Sequence, residues 1–408
     1  MGASRRVVVA VTVGAAAALV AACTFSGMGD YTICSFPSLT TVPGTGSVAS
    51  VTDLAMMSGT GAAPVAAYIP GQAGCMEAVD ALAGPITSTN SLCSLLATST
   101  GLVPHQPFVV NVSSGEAVFI TDATASGTCS SGAMAYTNQA LSGAVVAGSC
   151  DDAAEATLPS YATLSGGGNG VAAWYRAPYL SFEDPLSACP TAAAAPLVYS
   201  VVSYAATTNA SLSSATVLAT QGGVSVRPPA LIPLSSTGGA ALAAPTGSGV
   251  GVWTFDSTGN ASSTPTVTIS GMSGAKAVAM ATDGAQRLAV VAEIGCAPQS
   301  IAFAVGSDSG GFSTVVQVVP AGASASDKAF QPTVAWVTGR GDWLVTWISL
   351  SGGAHVLARR FSAAGVAEDA VFDPSISAVA AAAGPDGKVF AYDATTGVFA
   401  TADLKCVP

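Results

Sequence analysis

The segment from 330 to 365 constrains the fold more than any other stretch of the chain. It reads Phe330-Gln-Pro-Thr-Val-Ala-Trp-Val-Thr-Gly-Arg-Gly-Asp-Trp-Leu-Val-Thr-Trp-Ile-Ser349, then His355-Val-Leu-Ala-Arg-Arg-Phe361, then a glycine at 365. β-Branched and aromatic residues dominate its apolar runs and glycine-rich turns bound them, so short strands are expected rather than a helix. In Trp343-Leu-Val-Thr-Trp-Ile348 apolar side chains fall on both faces of the predicted strand. Such a strand must be covered on both sides, as happens where sheets stack face to face.

Runs of the same character recur at 64–68, 117–121, 171–175, 250–255, 288–292 and 388–392, and with the run at Trp347 they number seven. Each is read as the second strand of a repeated unit. From Tyr68 to Tyr392 six intervals span 324 residues, about 54 per unit, which accommodates four short strands. The interval from Trp174 to Trp253 is 79 residues, and an insertion holding Cys189 is assumed there. The expected architecture is all-β: a propeller of about seven four-stranded blades, with tandem β-sandwiches as the alternative. Outside the N-terminus only Gly74-Cys-Met-Glu-Ala-Val-Asp-Ala-Leu-Ala83 reads as a helix, and a short one.

The N-terminus carries Arg5 and Arg6, then sixteen uncharged, mostly apolar residues up to Ala22, then Cys23. That is the layout of a secretory signal, and it falls short of the ~20 apolar residues of a spanning helix. Val20-Ala21-Ala22-Cys23 resembles the lipobox of bacterial lipoproteins: an aliphatic residue, two small residues and a cysteine. An ordinary secretory signal with a chance cysteine is the alternative. The resemblance implies cleavage before Cys23, a diacylglycerol on its thiol and usually a further acyl chain on its new amino group. At roughly 0.8 kcal/mol per buried methylene, several acyl chains make a stable anchor. Thr24 departs from the Cys-Asp pattern of lipoproteins kept at the inner membrane. The expected place is therefore the outer membrane, on its periplasmic or surface-exposed face. The predicted organisation is a signal peptide over 1–22, a lipidated tether over 23–45 and the propeller over 46–408. The segment 330–365 is also similar to repeats in uncharacterised, myxobacterial-type surface lipoproteins, a likeness that supports the propeller and surface location and carries no function.

Beyond Cys23 there are eight further cysteines, Cys34, Cys75, Cys93, Cys129, Cys150, Cys189, Cys296 and Cys406. An even number in an exported chain points to disulfides, and removing Cys23 for lipid is what makes the number even. Eight cysteines allow 105 pairings. Sequence proximity favours Cys75 with Cys93, Cys129 with Cys150 and Cys189 with Cys296, leaving Cys34 with Cys406 to tie first blade to last. With long spacings, no C-x-x-C and only His105 and His355 as histidines, no metal site is expected.

Without its leader the chain's formal charge moves from -11 to -13, because the leader removes two arginines. Such a surface repels phosphate backbones, which argues against nucleic acid as a partner. Charged residues are only 9% of the chain and hydrophobic ones 50%, enough for a core and unlike acidic disordered chains.

No G-x-S-x-G, H-E-x-x-H, P-loop or G-x-G-x-x-G sequence occurs. The glycines of 166–170 are read as a hairpin turn, and His105, between Pro104 and Pro107, as a loop residue. Strand alternation puts His355, Leu357 and Arg359 on one face and Val356, Ala358 and Arg360 on the other, a polar blade edge. The carboxylates Asp151, Asp152, Glu155, Glu183, Asp184, Glu368 and Asp369 are candidates for glycosidase-type pairs. Such pairs require separations of ~5 Å or ~6.5 to 9.5 Å. Being adjacent in sequence, they are read as solvated loops. The Asp turns at Asp256, Asp308 and Asp386 lack the ligand ladder of a calcium loop. No cofactor or catalytic residue is assigned. The functional expectation is a non-catalytic binding or scaffolding module, held to the membrane by lipid, with an envelope protein or glycan as partner. A secreted carbohydrate-active hydrolase and an outer-membrane assembly accessory are the alternatives.

Overall fold

The computed structural model describes 33–36, 39–42 and, with side chains, most of 160–175, 196–201, 216–219 and 229–407 save 296–298, 320–327, 385 and 394; between 51 and 146 it describes the strands by backbone pairing. Strands account for nearly all of its regular structure, with a single 3-10 turn at Ser270–Met272 among the described residues. The chain divides into two units, 36–404 and a small one that joins 1–35 to 405–408.

In the larger unit the strands form seven antiparallel sheets in chain order. Their first strands are Val51–Met57, Leu102–Val112, Ser160–Thr163, Ala230–Pro233, Ala275–Thr282, Ala329–Val337 and Ala378–Ala383. Each packs against the first strand of the next sheet, and Ala378–Ala383 packs against Val51–Met57. A closed ring of first strands with the other strands stepping outward is a seven-bladed propeller. Among the described residues four blades have four strands; the second gains a fifth, Thr87–Ser88, parallel to Ala140–Val146, the third gains a fifth, Thr216–Ala219, on Leu197–Tyr204, and the sixth has three. The sixth blade's outer strand, His355–Ser362, is instead met by bridges from Phe372 and Ala367.

The ring closes through the N-terminus. Leu39–Thr41 pairs antiparallel with Val398–Asp403, as the outermost strand of the seventh blade. Val42 extends the contact by donating its N–H to Phe399 O at 2.9 Å. The closing strand therefore lies inside the segment expected to be a tether. In the small unit Ile33–Ser35 pairs with Lys405–Val407, and Cys34 is bonded to Cys406 as anticipated. The ring's own closure is the strand pairing, in the seventh blade, rather than the bond. Cys23, Cys75, Cys93, Cys150, Cys189 and Cys296 lie outside the described residues, and Cys129 is placed only as the first residue of Cys129–Thr137.

Three interblade cores explain the alternation read in the sequence. Trp343, Val345 and Trp347 of Asp342–Ser349 pack on Val291, Phe303 and neighbours of the fifth blade, with the Phe303 and Phe361 rings 4.4 Å apart. Leu344, Thr346 and Ile348, on the opposite face, are buried too, so the strand is covered on both sides. Elsewhere large meets small: Trp253 and Phe255 fill the space left by Ala240 and Ala244 and by Ala162 and Ala173 of the third blade. Alanine-rich strands let blades approach while the aromatics bury most of the apolar area, each fully buried large side chain being worth roughly 1.5–3 kcal/mol.

Three local expectations differ from the structure. The helix expected over 74–83 is instead a strand, Glu77–Asp80, paired with Val65–Pro70. Ala and Leu favour helix only weakly, and sheet pairing overrides that preference. Six of the seven marker runs are second strands, but 250–255 falls in Gly249–Phe255, the third strand of the fourth blade. The second strand there is Ala240–Thr246, whose alanines hide it, and this slip contributes to the long 79-residue interval. His105 lies within Leu102–Val112, where the register shifts between His105 and Phe108, rather than in a loop. Pro107 cannot donate to the ladder, and a bulge accommodates it.

Gly239 marks a close approach of backbone to backbone: a Cβ there would sit 1.8 Å from Phe255 O. Gly239→Ala is expected to cost about 2–3 kcal/mol of stability, since backbone rather than a mobile side chain must yield. Chemical denaturation would measure it, and a loss near zero would contradict this packing.

Candidate functional site at the bulged starts of the inner strands

Five of the seven inner strands break register close to their beginning: between Val51 and Asp53, His105 and Phe108, Ala275 and Ala277, Phe330 and Thr333, and Ala378 and Ala380. A bulge leaves one residue unpaired and re-aims its side chain, which is why bulges gather at rims and functional sites. The positions that the register passes over are Lys276 in the fifth blade and Gln331 with Pro332 in the sixth. Gln331 has φ of +50°, a left-handed conformation that a non-glycine residue adopts at a cost. Pro332, which follows it, disfavours the right-handed helical alternative.

What holds this backbone is a buried carboxylate from the neighbouring blade. Glu293, at the end of Arg287–Ile294, is 2% exposed. Its Oε2 accepts the Gln331 N–H at 3.3 Å, and its Oε1 accepts Gln299 Nε2 at 2.9 Å. Gln299 is 4% exposed and Lys276 9%. Burial pulls the Lys276 ammonium below the usual lysine range, the Glu293 charge works against that shift, and Lys328 adds to it. Gln299 Oε1 is buried with no hydrogen-bond partner among the described residues, an uncompensated polar atom of a kind native interiors seldom keep. Fixed acceptors, a lysine and a strained backbone thus converge where two inner strands begin. They can hold and orient a polar partner.

The carboxylates singled out earlier distribute differently. Asp151, Asp152, Glu155, Glu183 and Asp184 lie outside the described residues. Glu368 and Asp369 are not separate solvated groups: Glu368 Oε2 meets Arg360 Nη2 at 3.0 Å and Asp369 Oδ2 meets Arg360 Nε at 2.6 Å. The segment carrying them is irregular rather than a strand, so adjacent side chains reach one guanidinium. Asp342 Oδ2 completes the set at 3.2 Å from Arg360 Nη1 and is also held by Arg340 Nε at 3.0 Å. Arg360 is consequently a buried hub, 7% exposed, and not part of a polar edge. Alternation along the strand holds, with His355, Leu357 and Arg359 on the more open face. The Arg359 guanidinium lies 5.6 Å from the Phe361 ring centroid, and His355 Nδ1 is 2.8 Å from Gly353 O.

Burial raises the Glu368 carboxyl above its ordinary range, and the Arg360 charge opposes this. Arg340 reaches into the seventh blade, donating from Nη1 to Leu404 O at 3.1 Å, with Gly387 leaving room for its guanidinium. Asp342 starts the second strand while Glu368 and Asp369 follow the third, and each makes an ion pair with an arginine. They form a structural network between blades. Asp256 is likewise engaged locally, accepting from Thr258 Oγ1 at 2.6 Å, Asn260 N at 3.0 Å and Thr258 N at 2.8 Å, which together hold its carboxyl below the usual range. Among the described residues no three His, Cys, Asp or Glu side chains are grouped to hold a metal ion.

No family model matches the chain, and no curated protein matches it. Among solved structures it is similar to a Hadza microbial sialidase at 11% identity and TM-score 0.47, over 74% of this chain and 65% of that one. It is also similar to AofleA from Arthrobotrys oligospora, at 12% identity and TM-score 0.45, over 86% of this chain and 92% of the other. An exo-β-1,3-galactanase from Phanerochaete chrysosporium follows at 9% identity and TM-score 0.41, over 71% of this chain and 65% of the other.

Proposed function

We propose that the protein is a lipid-anchored component of the bacterial envelope whose propeller is a non-catalytic binding module. The partner, an envelope protein or glycan, is met where the inner strands of the fifth and sixth blades begin. The observation that carries this reading is the double engagement of Glu293, which spends a buried charge on holding Gln331 in a strained, re-aimed conformation. Strain kept at such a cost is a recurrent property of preorganised binding sites. Anchorage rests on Val20-Ala21-Ala22-Cys23, and Thr24 favours the outer membrane.

Two measurements test the parts separately. Incorporation of labelled palmitate is expected in the wild-type protein and absent in Cys23→Ser; equal labelling would remove the anchor. Gln331→Gly keeps a positive φ at no steric cost. It should therefore fold with a melting temperature close to the wild type, yet recover much less partner in a cross-linked pull-down from envelope extracts. Undiminished recovery would exclude this end of the blades as the contact. Protease shaving of intact cells separates surface display from a periplasmic face.

A further inference from the structure

The N-terminal closing strand is also the way out to the anchor, and the two roles interact. Cys34 lies eleven residues after Cys23, whereas the first strand of the first blade begins at Val51, twenty-eight residues after it. Between these points, only Leu39–Thr41 and its flanks engage the larger unit among the described residues. The three strand residues are all exposed, Leu39 at 42%, while Val42 is buried and Phe36 meets Phe372 edge-on at 5.9 Å. That is a short, mostly solvent-facing hold for a strand that closes a ring. The covalent hold is Cys34 with Cys406, three positions after Asp403, where the last blade strand ends. Cys34 is buried but Cys406 is only half-buried, which leaves the bond open to attack from the Cys406 side.

We propose that the Cys34–Cys406 bond is a redox-cleavable leash lock, which keeps the propeller on its shortest tether until a dithiol opens it. This rests on the lipid-anchor reading above. With the bond intact, eleven residues separate lipid from the locked point, a reach of at most roughly 40 Å. With the bond open and both Ile33–Ser35 and Leu39–Thr41 unzipped, twenty-eight residues separate Cys23 from Val51 and the limit becomes roughly 100 Å. In the chemical step, a thiolate of the dithiol attacks Cys406 Sγ, the S–S bond breaks, and Cys34 leaves as a thiolate. The dithiol's second sulfur then displaces Cys406, so the dithiol departs oxidised to a disulfide while two electrons and two protons pass to the cysteine pair. Release of the strand exposes the edge of Val398–Asp403, so the longer leash comes with an unpaired blade edge.

The test uses the full, lipidated chain with a protease cleavage sequence inserted between 43 and 50, bound to vesicles of phosphatidylethanolamine and phosphatidylglycerol. After cutting, the propeller remains joined to its anchor through the bond and two three-residue strand pairings, Ile33–Ser35 with Lys405–Val407 and Leu39–Thr41 with Val398–Asp403. It should sediment with the vesicles in the absence of reductant and be lost from the membrane fraction on adding dithiothreitol. Release before reduction, or retention after it, would overturn the lock. Because dithiothreitol reduces other bonds as well, the same chain carrying Cys34→Ser and Cys406→Ser should be released by cutting alone; its retention would also overturn the proposal. Should that variant not fold, the wild-type cysteine arm decides. Uncut protein that never sediments would instead refute the lipid anchor, which separates the two failures.

Discussion

Arg360→Ala is expected to destabilise the propeller by about 3–5 kcal/mol, the range for removing one partner from a buried ionic cluster. The side chain is 8% exposed and serves three carboxylates, of which Asp342 is only 5% exposed. Without the guanidinium, Asp342 keeps Arg340, but Glu368 and Asp369 lose their opposing charge while still crowded together. The loss should show as a lower denaturation midpoint with unchanged slope, because the surface exposed on unfolding is nearly the same. Raising salt should recover little of it, since a buried cluster is poorly screened. A loss under about 1 kcal/mol would mean that the cluster behaves as a surface ion pair.

Replacing Cys34 and Cys406 together with serine should cost a comparable amount, about 5 kcal/mol at the upper limit. The bond spans 372 residues, and a cross-link restricts the unfolded chain more as the loop lengthens, although strain and residual structure often reduce the effect. The location of the damage is the more telling readout. Hydrogen exchange should quicken first in Val398–Asp403, whose outer neighbour is the closing strand, and only later in Asp342–Ser349, which is buried throughout. Uniform acceleration across the blades would show that the ends are not a separate weak point.

The architecture was legible because its signals are local. Second strands are buried on both faces, so Trp174, Trp347 and Tyr392 stand out in sequence as apolar runs in a glycine-rich background. The pairing of Cys34 with Cys406, one choice among many that the sequence leaves open, agrees with the bond observed. What stayed hidden depends on contacts between distant residues. Nothing in the neighbourhood of Arg360 announces that Asp342, Glu368 and Asp369 converge on it, because two of its partners come from an irregular segment. Ala240–Thr246 escaped notice since alanine carries little strand preference and that strand is selected by the aromatics facing it.

The bulges left a trace that was available. Gln106-Pro107 and Gln331-Pro332 repeat the same dipeptide at the register breaks of the second and sixth blades. A proline inside an otherwise continuous strand is a bulge signal. It points to Gln331 without revealing Glu293, whose role depends on two blades packing together.

The closing strand also bears on how the molecule is made. Its partner, Val398–Asp403, is made only after the strands of the six other blades. The first six blades can assemble as they arrive, each docking on its predecessor, but the seventh waits for Leu39–Thr41 to be brought back across more than 350 residues. Contacts so far apart in sequence form slowly, and the waiting edges are open to other chains. An acylated start fixed at the membrane would confine the returning strand to the neighbourhood of the exit, turning a distant search into a local one. Attachment would then act first as a folding aid, before it serves as an address.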